Sequence, residues 1–196
     1  VVHMVESLSD FFRVSLNQGN DVATVKEELL HITSYLEIQQ VRYQDILDYE
    51  IDVPEELQGY MIPKITLQPL VENALYHGIK NKRGKGCIRV SGYSTQQDVV
   101  ILVHDNGIGM TRERLHQIKE GLRHPQEKKD FYGLFNVNER LRLKFGDAFQ
   151  LEFYSVYREG TTIEVHLPKD RAEDFSDFRA GNALRQAIHE GNVGDC

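Results

Sequence analysis

The sequence predicts an α+β fold, a two-layer α/β sandwich in which helices cover one face of a mostly antiparallel sheet. One observation behind this prediction is that helical hydrophobic stripes alternate with pairs of short strand-like runs along the chain. Another is that the paired runs are joined by short polar turns, which is typical of antiparallel hairpins. The 196 residues suffice for one such domain and an appendage.

The first 45 residues predict a pair of helices. We expect these helices to form a helical hairpin that packs on itself or on a second copy of the chain, because the second stripe resembles a heptad seam. The alternative is an amphipathic helix that lies on the core of its own domain. The strictness of the seam near a terminus favours dimerisation. The apolar residues that recur at spacings of three and four are Val1, Val5, Leu8 and Phe12, then Val22, Val25, Leu29, Ile32 and Leu36.

The remaining elements follow from local periodicity and turn residues. Residues 54–63 and 119–130 are interpreted as polar connections, and a loop as long as the second is usually functional or disordered. The tail over 169–196 contains a weakly helical piece over 178–188. The predicted strands cover residues 49–53, 87–93, 99–104, 149–153 and 163–167, and the predicted helices cover 66–78, 111–118 and 134–145.

Composition limits the range of functions. The hydrophobic fraction of 40% is ordinary for a globular protein, and the formal net charge is −7. Since nucleic-acid-binding proteins usually carry a basic patch, we expect no nucleic-acid partner. No apolar run approaches the ~20 residues of a membrane helix, and Cys87 and Cys196 form no motif, so we expect a reduced, cytoplasmic setting. The chain does not begin with Met, which indicates a fragment of a longer protein.

One stretch with a chemical signal is Asp105-Asn106-Gly107-Ile108-Gly109-Met110. It follows a buried apolar strand and precedes Thr111, a predicted helix N-cap. The strand therefore delivers one carboxylate into a turn whose two glycines allow positive φ angles and the close approach of a ligand. Alone, this pattern is equally typical of a plain tight turn.

A second stretch lies on the predicted helix over 66–78. Asn73, Tyr76 and His77 fall at positions i, i+3 and i+4, on one face of an otherwise apolar helix. A buried Asn needs hydrogen-bond partners, and its side-chain carbonyl is a hard oxygen ligand suited to Mg²⁺. Pro69 is tolerated because it lies in the first turn.

Together these stretches resemble the Bergerat-type ATP-binding fold shared by histidine kinases, Hsp90-type chaperones, MutL and type II topoisomerases. The chain is most similar to the LytS-like sensor histidine kinases of bacterial two-component systems, over residues 8–168. The preceding helix, with Glu28, Tyr35, Leu36, Ile38 and Arg42, is also similar to that family. Four motifs in the family's order carry the resemblance: Glu72-Asn73-Ala74-x-x-His77-Gly78 (N box), Asp105-Asn106-Gly107-Ile108-Gly109-Met110 (G1 box), Gly133-Leu134-x-Asn136-Val137-x-x-Arg140-Leu141 (end of the ATP lid) and Gly160-Thr161-Thr162 (last glycine box).

The resemblance implies ATP and Mg²⁺ as ligands. Asp105 is expected to accept a hydrogen bond from the adenine amino group, and guanine is disfavoured because it presents a carbonyl there. Asn73 is expected to hold Mg²⁺, and Gly133 to offer helix N-terminal N–H groups to phosphate. Gly107 and Gly109 are expected to let the backbone pass under the nucleotide. The full set of expected nucleotide-binding residues is Asn73, His77, Gly78, Asp105, Gly107, Gly109, Met110, Gly133, Leu134, Asn136, Thr161 and Thr162, with Glu72 and Asn73 catalytic and residues 119–132 as the lid.

The resemblance also implies a domain organisation and partners. Residues 1–45 would be partial dimerisation helices that mediate a homodimer, 46–168 the catalytic domain, and 169–196 a tail. The family's phosphoacceptor lies in an upstream His-Phe-Leu-Phe-Asn-like motif that is absent here; His3 does not match it, and His31 is expected to be a packed or solvated histidine. The implied activity is transfer of the ATP γ-phosphoryl group to a histidine of the dimerisation region, for relay to a response regulator. The implied setting is the cytoplasmic part of a membrane sensor.

Two alternatives stay open. An ATPase of the same fold would carry a catalytic Glu four residues before the Asn, where this chain has Pro69 and only the adjacent Glu72. A degenerate nucleotide-binding and dimerisation module is suggested by Tyr76, where the family usually has Lys, and by Phe131, where it usually has the first Gly of Gly-x-Gly. The nearby cations that could replace the missing Lys are Lys80, Lys82 and Arg83.

Overall fold

The computed structural model describes residues 21–123 and 132–169. Its strands are β1 (Val22–Thr24), β2 (Leu47–Asp52), β3 (Met61–Pro63), β4 (Gly86–Ser94), β5 (Asp98–Asp105), β6 (Gln150–Val156) and β7 (Gly160–Pro168). Its α-helices are α1 (Val25–Arg42), α2 (Leu67–Asn73), α3 (Arg112–Arg123) and α4 (Tyr132–Phe145).

The core of the molecule is a five-stranded sheet with strand order β2-β4-β5-β7-β6. Strand β2 runs parallel to β4, and the other pairs are antiparallel. Alternate residues of β5, such as Val99, Ile101 and Val103, are buried with the helices in one hydrophobic core, because successive side chains of a strand point to opposite faces. The predicted α+β sandwich with a mostly antiparallel sheet is confirmed.

Helix α1 begins later than the hydrophobic stripe predicted. Thr24 is its N-cap, and a capping box joins the Thr24 and Glu27 side chains to each other's backbone N–H groups. Val22, predicted as the first residue of the helical seam, lies instead in β1, which pairs with β3. The seam prediction is therefore wrong at its first residue, although the Thr-x-x-Glu signal for the true start is present in the sequence.

The rest of the predicted seam packs inside the domain. Val25, Leu29, Ile32 and Leu36 are all at most 6% exposed, and they belong to the same core as the sheet. The prediction that this seam serves a dimer is wrong, and the amphipathic-helix alternative is correct for α1. Spacing alone cannot distinguish the two, because a stripe facing its own sheet and a stripe facing a partner have the same period. The other predicted helix of the hairpin lies outside the described residues.

The segment predicted as a polar connection over 54–63 is partly structured and partly buried. It contains a 3-10 turn at Glu55–Leu57 and the short strand β3. Leu57, Tyr60 and Ile62 are buried in the core. The interpretation as a polar connection is therefore corrected, since its few apolar residues fit neither a helical nor a strand period but still reach the core.

Helix α2 ends differently from the prediction. It continues as a π-helical turn, Ala74–Gly78, and a 3-10 turn, Ile79–Asn81. Gly78, the last residue of the predicted helix, has φ −87 and so does not adopt the left-handed conformation that is common at a C-terminal glycine. A glycine is needed there for another reason: an added Cβ would lie 2.4 Å from Asp105 Oδ1.

Two further boundaries bear on the site. Helix α3 extends to Arg123, so residues 119–123 of the predicted lid loop are helical. The remainder of that loop up to Phe131, and the tail beyond Lys169, lie outside the described residues.

No helix in the described part of the chain has both the length and the apolar character needed to cross a membrane.

Candidate functional site

A cavity of about 300 Å³ opens between the helices and the end of the sheet. Its walls come from α2 and the π-helical turn, the end of β5, the start of α3, the start of α4, and the hairpin between β6 and β7. Its volume is at the lower end of the range of small-molecule sites. The predicted nucleotide-binding residues that line it are Asn73, His77, Gly78, Asp105, Gly109, Met110, Leu134 and Thr161.

Asp105 lines the cavity next to Gly78, the last residue of the π-helical turn. It is the last residue of β5, it is 4% exposed, and its Oδ1 accepts a hydrogen bond from Gly107 N at 2.8 Å. Burial raises the pKa of Asp105 to about 6, against the smaller lowering effects of backbone hydrogen bonds from Gly107 and Thr161 and of the Lys82 charge. A buried carboxylate at the wall of a cavity is a strong acceptor for a hydrogen-bond donor on a ligand.

The two glycines after Asp105 are required by packing within the protein. A Cβ on Gly107 would lie 2.3 Å from the backbone carbon of Gly78, and Gly107 does not line the cavity. Gly109 has φ +63, and a Cβ there would lie 2.0 Å from Val156 O. Of the two glycines, Gly109 borders the cavity, whereas Gly107 is required by its contact with Gly78, and a role of Gly107 toward the nucleotide stays a prediction.

Asn73 lines the cavity at the opposite end of the π-helical turn, as the last residue of α2. Its Nδ2 donates to Pro69 O at 2.7 Å, which turns its Oδ1 away from the helix backbone. Within the described ranges, no donor is bonded to that oxygen. Gly133, in the first turn of α4, lies beside the Asn73 side chain, since a Cβ on Gly133 would be 4.0 Å from Asn73 Nδ2. The structure thus brings the predicted metal ligand and the predicted phosphate-binding helix start together.

Of the two candidate threonines, one is well placed. Thr161 lines the cavity, and its Oγ1 lies 2.9 Å from Ser155 Oγ. Thr162 points to the opposite face of the sheet, where its Oγ1 lies 2.9 Å from His104 Nδ1. The prediction that Thr162 lines the nucleotide site together with Thr161 is therefore corrected, because neighbouring strand residues point to opposite faces of a sheet. Asn136 is exposed on α4 and does not line the cavity.

Glu72 faces α1 rather than the cavity. Its Oε1 accepts from Gln68 Nε2 at 2.8 Å, and Gln68 Oε1 lies 2.7 Å from His31 Nε2. His31 is 1% exposed, which agrees with its interpretation as a packed histidine. The predicted catalytic carboxylate of Glu72 is thus on the side of α2 that packs against α1.

Tyr76 and its possible cationic replacements also lie away from the cavity lining. Lys80 Nζ stands 4.8 Å from the centre of the Tyr76 ring, and Lys82 Nζ donates to Asn106 O at 2.7 Å. Among the described residues that line the cavity, the one Lys or Arg is Arg114, in the first turn of α3. Sequence analysis missed Arg114, although its place just after the glycine turn and Thr111 is a usable signal.

Tyr157 was missed as well. It lines the cavity from the hairpin between β6 and β7. That hairpin is held over the glycine turn by a hydrogen bond from Arg158 N to Ile108 O at 2.6 Å. No local signal identifies Tyr157, because its place depends on a contact between segments distant in the chain.

The family follows from comparison with known proteins. Residues 63–171 match the family described as Histidine kinase-, DNA gyrase B-, and HSP90-like ATPase, and residues 1–47 match the family described as Histidine kinase. The chain belongs to the histidine kinase-, DNA gyrase B- and HSP90-like ATPase family. Its ATPase domain is of the histidine kinase type, which confirms the resemblance inferred from the four motifs.

The similar sequences are sensor kinases. An uncharacterized sensor-like histidine kinase of Staphylococcus epidermidis is 34% identical over 165 residues, covering 84% of this chain and 32% of that protein. The sensor histidine kinase YesM of Bacillus subtilis is 33% identical over 166 residues, covering 84% of this chain and 27% of that protein. The chain therefore spans about a third of the length of these relatives.

Solved structures show the same fold. The histidine kinase domain of the blue-light activated histidine kinase from Erythrobacter litoralis EL346 has a TM-score of 0.55 at 14% identity, covering 86% of this chain and 74% of that one. The mycobacterial sensor histidine kinase MprB has a TM-score of 0.54 at 20% identity, covering 78% of this chain and 99% of that one. At these identities the likeness concerns the fold alone.

Proposed function

We propose that this chain is the ATP-binding catalytic portion of a sensor histidine kinase. It would bind Mg·ATP and transfer the γ-phosphoryl group to a histidine of the dimerisation region, for relay to a response regulator. The observation that carries the proposal is the arrangement of one cavity: the buried carboxyl group of Asp105 lines it beside Gly78, and at the opposite end of the π-helical turn Asn73 lines it beside the start of α4.

At the Asp105 end, the site suits adenine. The exocyclic amino group of adenine donates hydrogen bonds, and a carboxylate only accepts them. The apolar side chains of Val103, Phe153 and Ile163 line the same cavity and suit the faces of an aromatic ring. Adenine is favoured over guanine because guanine would place a carbonyl acceptor against the carboxylate.

At the Asn73 end, the site suits a phosphate chain with Mg²⁺. The Asn73 Oδ1 accepts no hydrogen bond from the described residues and is a hard-oxygen ligand, and one protein oxygen supplemented by water and phosphate is a usual arrangement for Mg²⁺. The first N–H groups of α4 have no partner inside the helix and suit phosphate oxygens. When bound, Mg²⁺ neutralises phosphate charge, while the chain's own residues position the phosphates, and positioning is the main requirement of phosphoryl transfer.

One observation favours a kinase over an ATPase. Asp105 is the one carboxylate among the described cavity-lining residues, and it lies at the adenine end. Hydrolysis of ATP would need a base near the phosphates to activate water. Pro69 occupies the position where an ATPase would carry that Glu, and Pro69 O already accepts the Asn73 amide.

The partners and setting are proposed from the relatives. The names of the similar proteins describe sensor kinases, which supports a homodimer and a cytoplasmic domain of a membrane sensor. Because the apolar seam of α1 is buried in its own domain, the homodimer is proposed to form through N-terminal helical surfaces other than that seam. Glu72, on the α1 side of α2, is proposed to act toward the incoming histidine rather than toward the nucleotide.

Calorimetric titration of this chain with ATP, with and without Mg²⁺, tests the proposal. We expect saturable binding that weakens when EDTA removes the metal. Asn73→Ala should lose the metal dependence while retaining adenosine binding, because it removes the oxygen ligand and leaves Asp105 unchanged. Absence of ATP binding in folded protein would contradict the proposal and favour a degenerate module. Steady ATP hydrolysis without a histidine acceptor would favour the ATPase.

A further inference from the structure

The turn over 64–66 has an unusual backbone. Ile65 has φ 57, in the left-handed region that a β-branched side chain rarely adopts. Such a conformation persists only where surrounding contacts over-determine it. This turn leads directly into α2, the helix that ends with Asn73, so the contacts that hold it also determine where α2 begins.

Glu28 of α1 holds the N–H groups of the turn. Its carboxylate accepts from Ile65 N at 2.6 Å, Thr66 N at 2.8 Å and Leu67 N at 3.0 Å. Thr66 precedes α2 but makes no side-chain cap, since its hydroxyl donates to Pro63 O. Glu28, which is 1% exposed, therefore caps the start of α2 from a different helix.

Arg140 of α4 holds the carbonyl groups of the same turn. Its Nη1 donates to Lys64 O at 2.8 Å and its Nη2 donates to Ile65 O at 2.6 Å. This two-pronged geometry is specific to a guanidinium group. The N–H of Ile65 is thus held by an acidic residue of α1, and its carbonyl is held by a basic residue of α4.

We propose that Glu28 and Arg140 are positioning residues for the nucleotide site: by holding the 64–66 turn between them, they set where α2 presents Asn73 relative to the start of α4. The inference rests on the proposed function and adds a regulatory route to it. Because Glu28 lies in the first turn of α1, a displacement of α1 relative to the sheet would reach the phosphate end of the cavity through this turn. Asp105 lies on β5 and would be unaffected.

The test compares Glu28→Gln, Arg140→Met and the double variant with wild type. Arg140→Lys restores the charge without the two-pronged geometry, and Arg142→Met on the exposed side of α4 is a matched control. Glutamine keeps the volume of Glu28, and circular dichroism verifies that each variant is folded. Hydrogen exchange over residues 65–73 reports on the turn, and calorimetry measures Mg·ATP and adenosine affinities.

We expect faster exchange confined to residues 65–73 and about a tenfold loss of Mg·ATP affinity, because a small misplacement of a positioned group is costly. Adenosine affinity should stay within about twofold, because it depends on the Asp105 end. The double variant should bind Mg·ATP no more weakly than the single variant with the lower affinity, since both residues hold the same turn. Arg140→Lys should recover only part of the loss, and Arg142→Met should match wild type.

Two results would overturn the inference. Exchange and Mg·ATP affinity could both stay at wild-type values, so that the turn needs neither residue. Alternatively, the affinities for Mg·ATP and adenosine could fall equally and in proportion to a lower melting temperature, which would mean that the two residues contribute only to stability. If wild type binds adenosine but not Mg·ATP, the proposed function fails instead, and the exchange data then decide the positioning role: acceleration confined to 65–73 supports it, and unchanged exchange contradicts it.

Discussion

Replacing Asp105 by Asn exchanges one carboxylate oxygen for an NH₂ group and probes the proposed recognition of adenine. In wild type, Oδ1 accepts from Gly107 N at 2.8 Å. The N–H of Gly107 still needs an acceptor in the variant, so the Asn oxygen is expected to stay there. The new NH₂ group then occupies the place of the other carboxylate oxygen, where it meets the adenine amino group as a second donor.

The size of the effect follows from two contributions. A charge-assisted hydrogen bond contributes about 1.5–3 kcal/mol, and an unsatisfied buried donor costs about 1–3 kcal/mol. Their sum corresponds to a loss of between about 60-fold and about 20,000-fold in ATP affinity, at about 1.4 kcal/mol per factor of ten. The amide can donate to the carbonyl of guanine, so the ratio of GTP to ATP affinity should rise.

The same substitution should leave the fold intact and make the nucleotide-free protein more stable at neutral pH. Burial raises the pKa of Asp105 from 3.8 to about 6. The folded protein therefore binds the proton more tightly than the unfolded chain, so wild type loses stability as the pH rises from about 4 through 6. The shift corresponds to about 3 kcal/mol, which the neutral Asn does not incur.

Calorimetry with ATP and GTP, and urea unfolding at pH 5 and pH 7.5, measure these effects. Asp98→Asn, at the other end of β5 and outside the cavity, is the matched control. The reasoning is refuted if folded Asp105→Asn protein binds ATP within twofold of wild type. It is also refuted if the affinity falls while the preference for ATP over GTP stays the same, because then the carboxylate does not read the base.

Three further outcomes are expected. Adenosine affinity should fall about tenfold between pH 7 and pH 5, because protonation of Asp105, with its pKa raised by burial to about 6, removes the charged acceptor. Calorimetry uses adenosine rather than ATP because adenosine has no phosphate that titrates in this range. An affinity that does not change with pH would contradict this prediction. This chain alone should not autophosphorylate, since it carries no acceptor motif and His31 is buried; acid-labile label from γ-labelled ATP would show that the acceptor was misplaced. Ile32→Ala should lower the free energy of unfolding by about 2–5 kcal/mol, because it opens a cavity in the core. Val41 is 61% exposed on the same helix, so Val41→Ala should change the free energy of unfolding little. Equal losses of the two variants in urea titrations would contradict the packing of α1.

Local signals predicted much of the site. The order of Asn73, Asp105 and Thr161 along the chain, the carboxylate at the end of a buried strand, and the N-cap at Thr111 are all properties of short segments. The N–H of Arg114 does bond to Thr111 Oγ1, at 3.3 Å, as an N-cap requires. Such features depend on residue types a few positions apart, and the chain therefore encodes them without reference to its fold.

Other features depend on which surfaces meet. The stripe of α1 has the same period whether it faces a partner or its own sheet, and only the packed structure shows Ile32 and Leu36 in the domain core. Thr161 and Thr162 are the same residue type, and the register of β7 against β5 decides which one faces the cavity.

Short segments of the chain were enough to predict the sheet-and-helix fold, the motifs of the ATPase family, and Asn73 and Asp105 in the cavity, because hydrophobic period, glycines and polar residues at element ends act locally. The remaining features arise only when the chain is folded. Glu28 bonds to Thr66 across 38 positions and Arg140 to Lys64 across 76, and Gly107 is required by contact with Gly78. These are pairings between distant segments, and no periodicity within either segment specifies its partner.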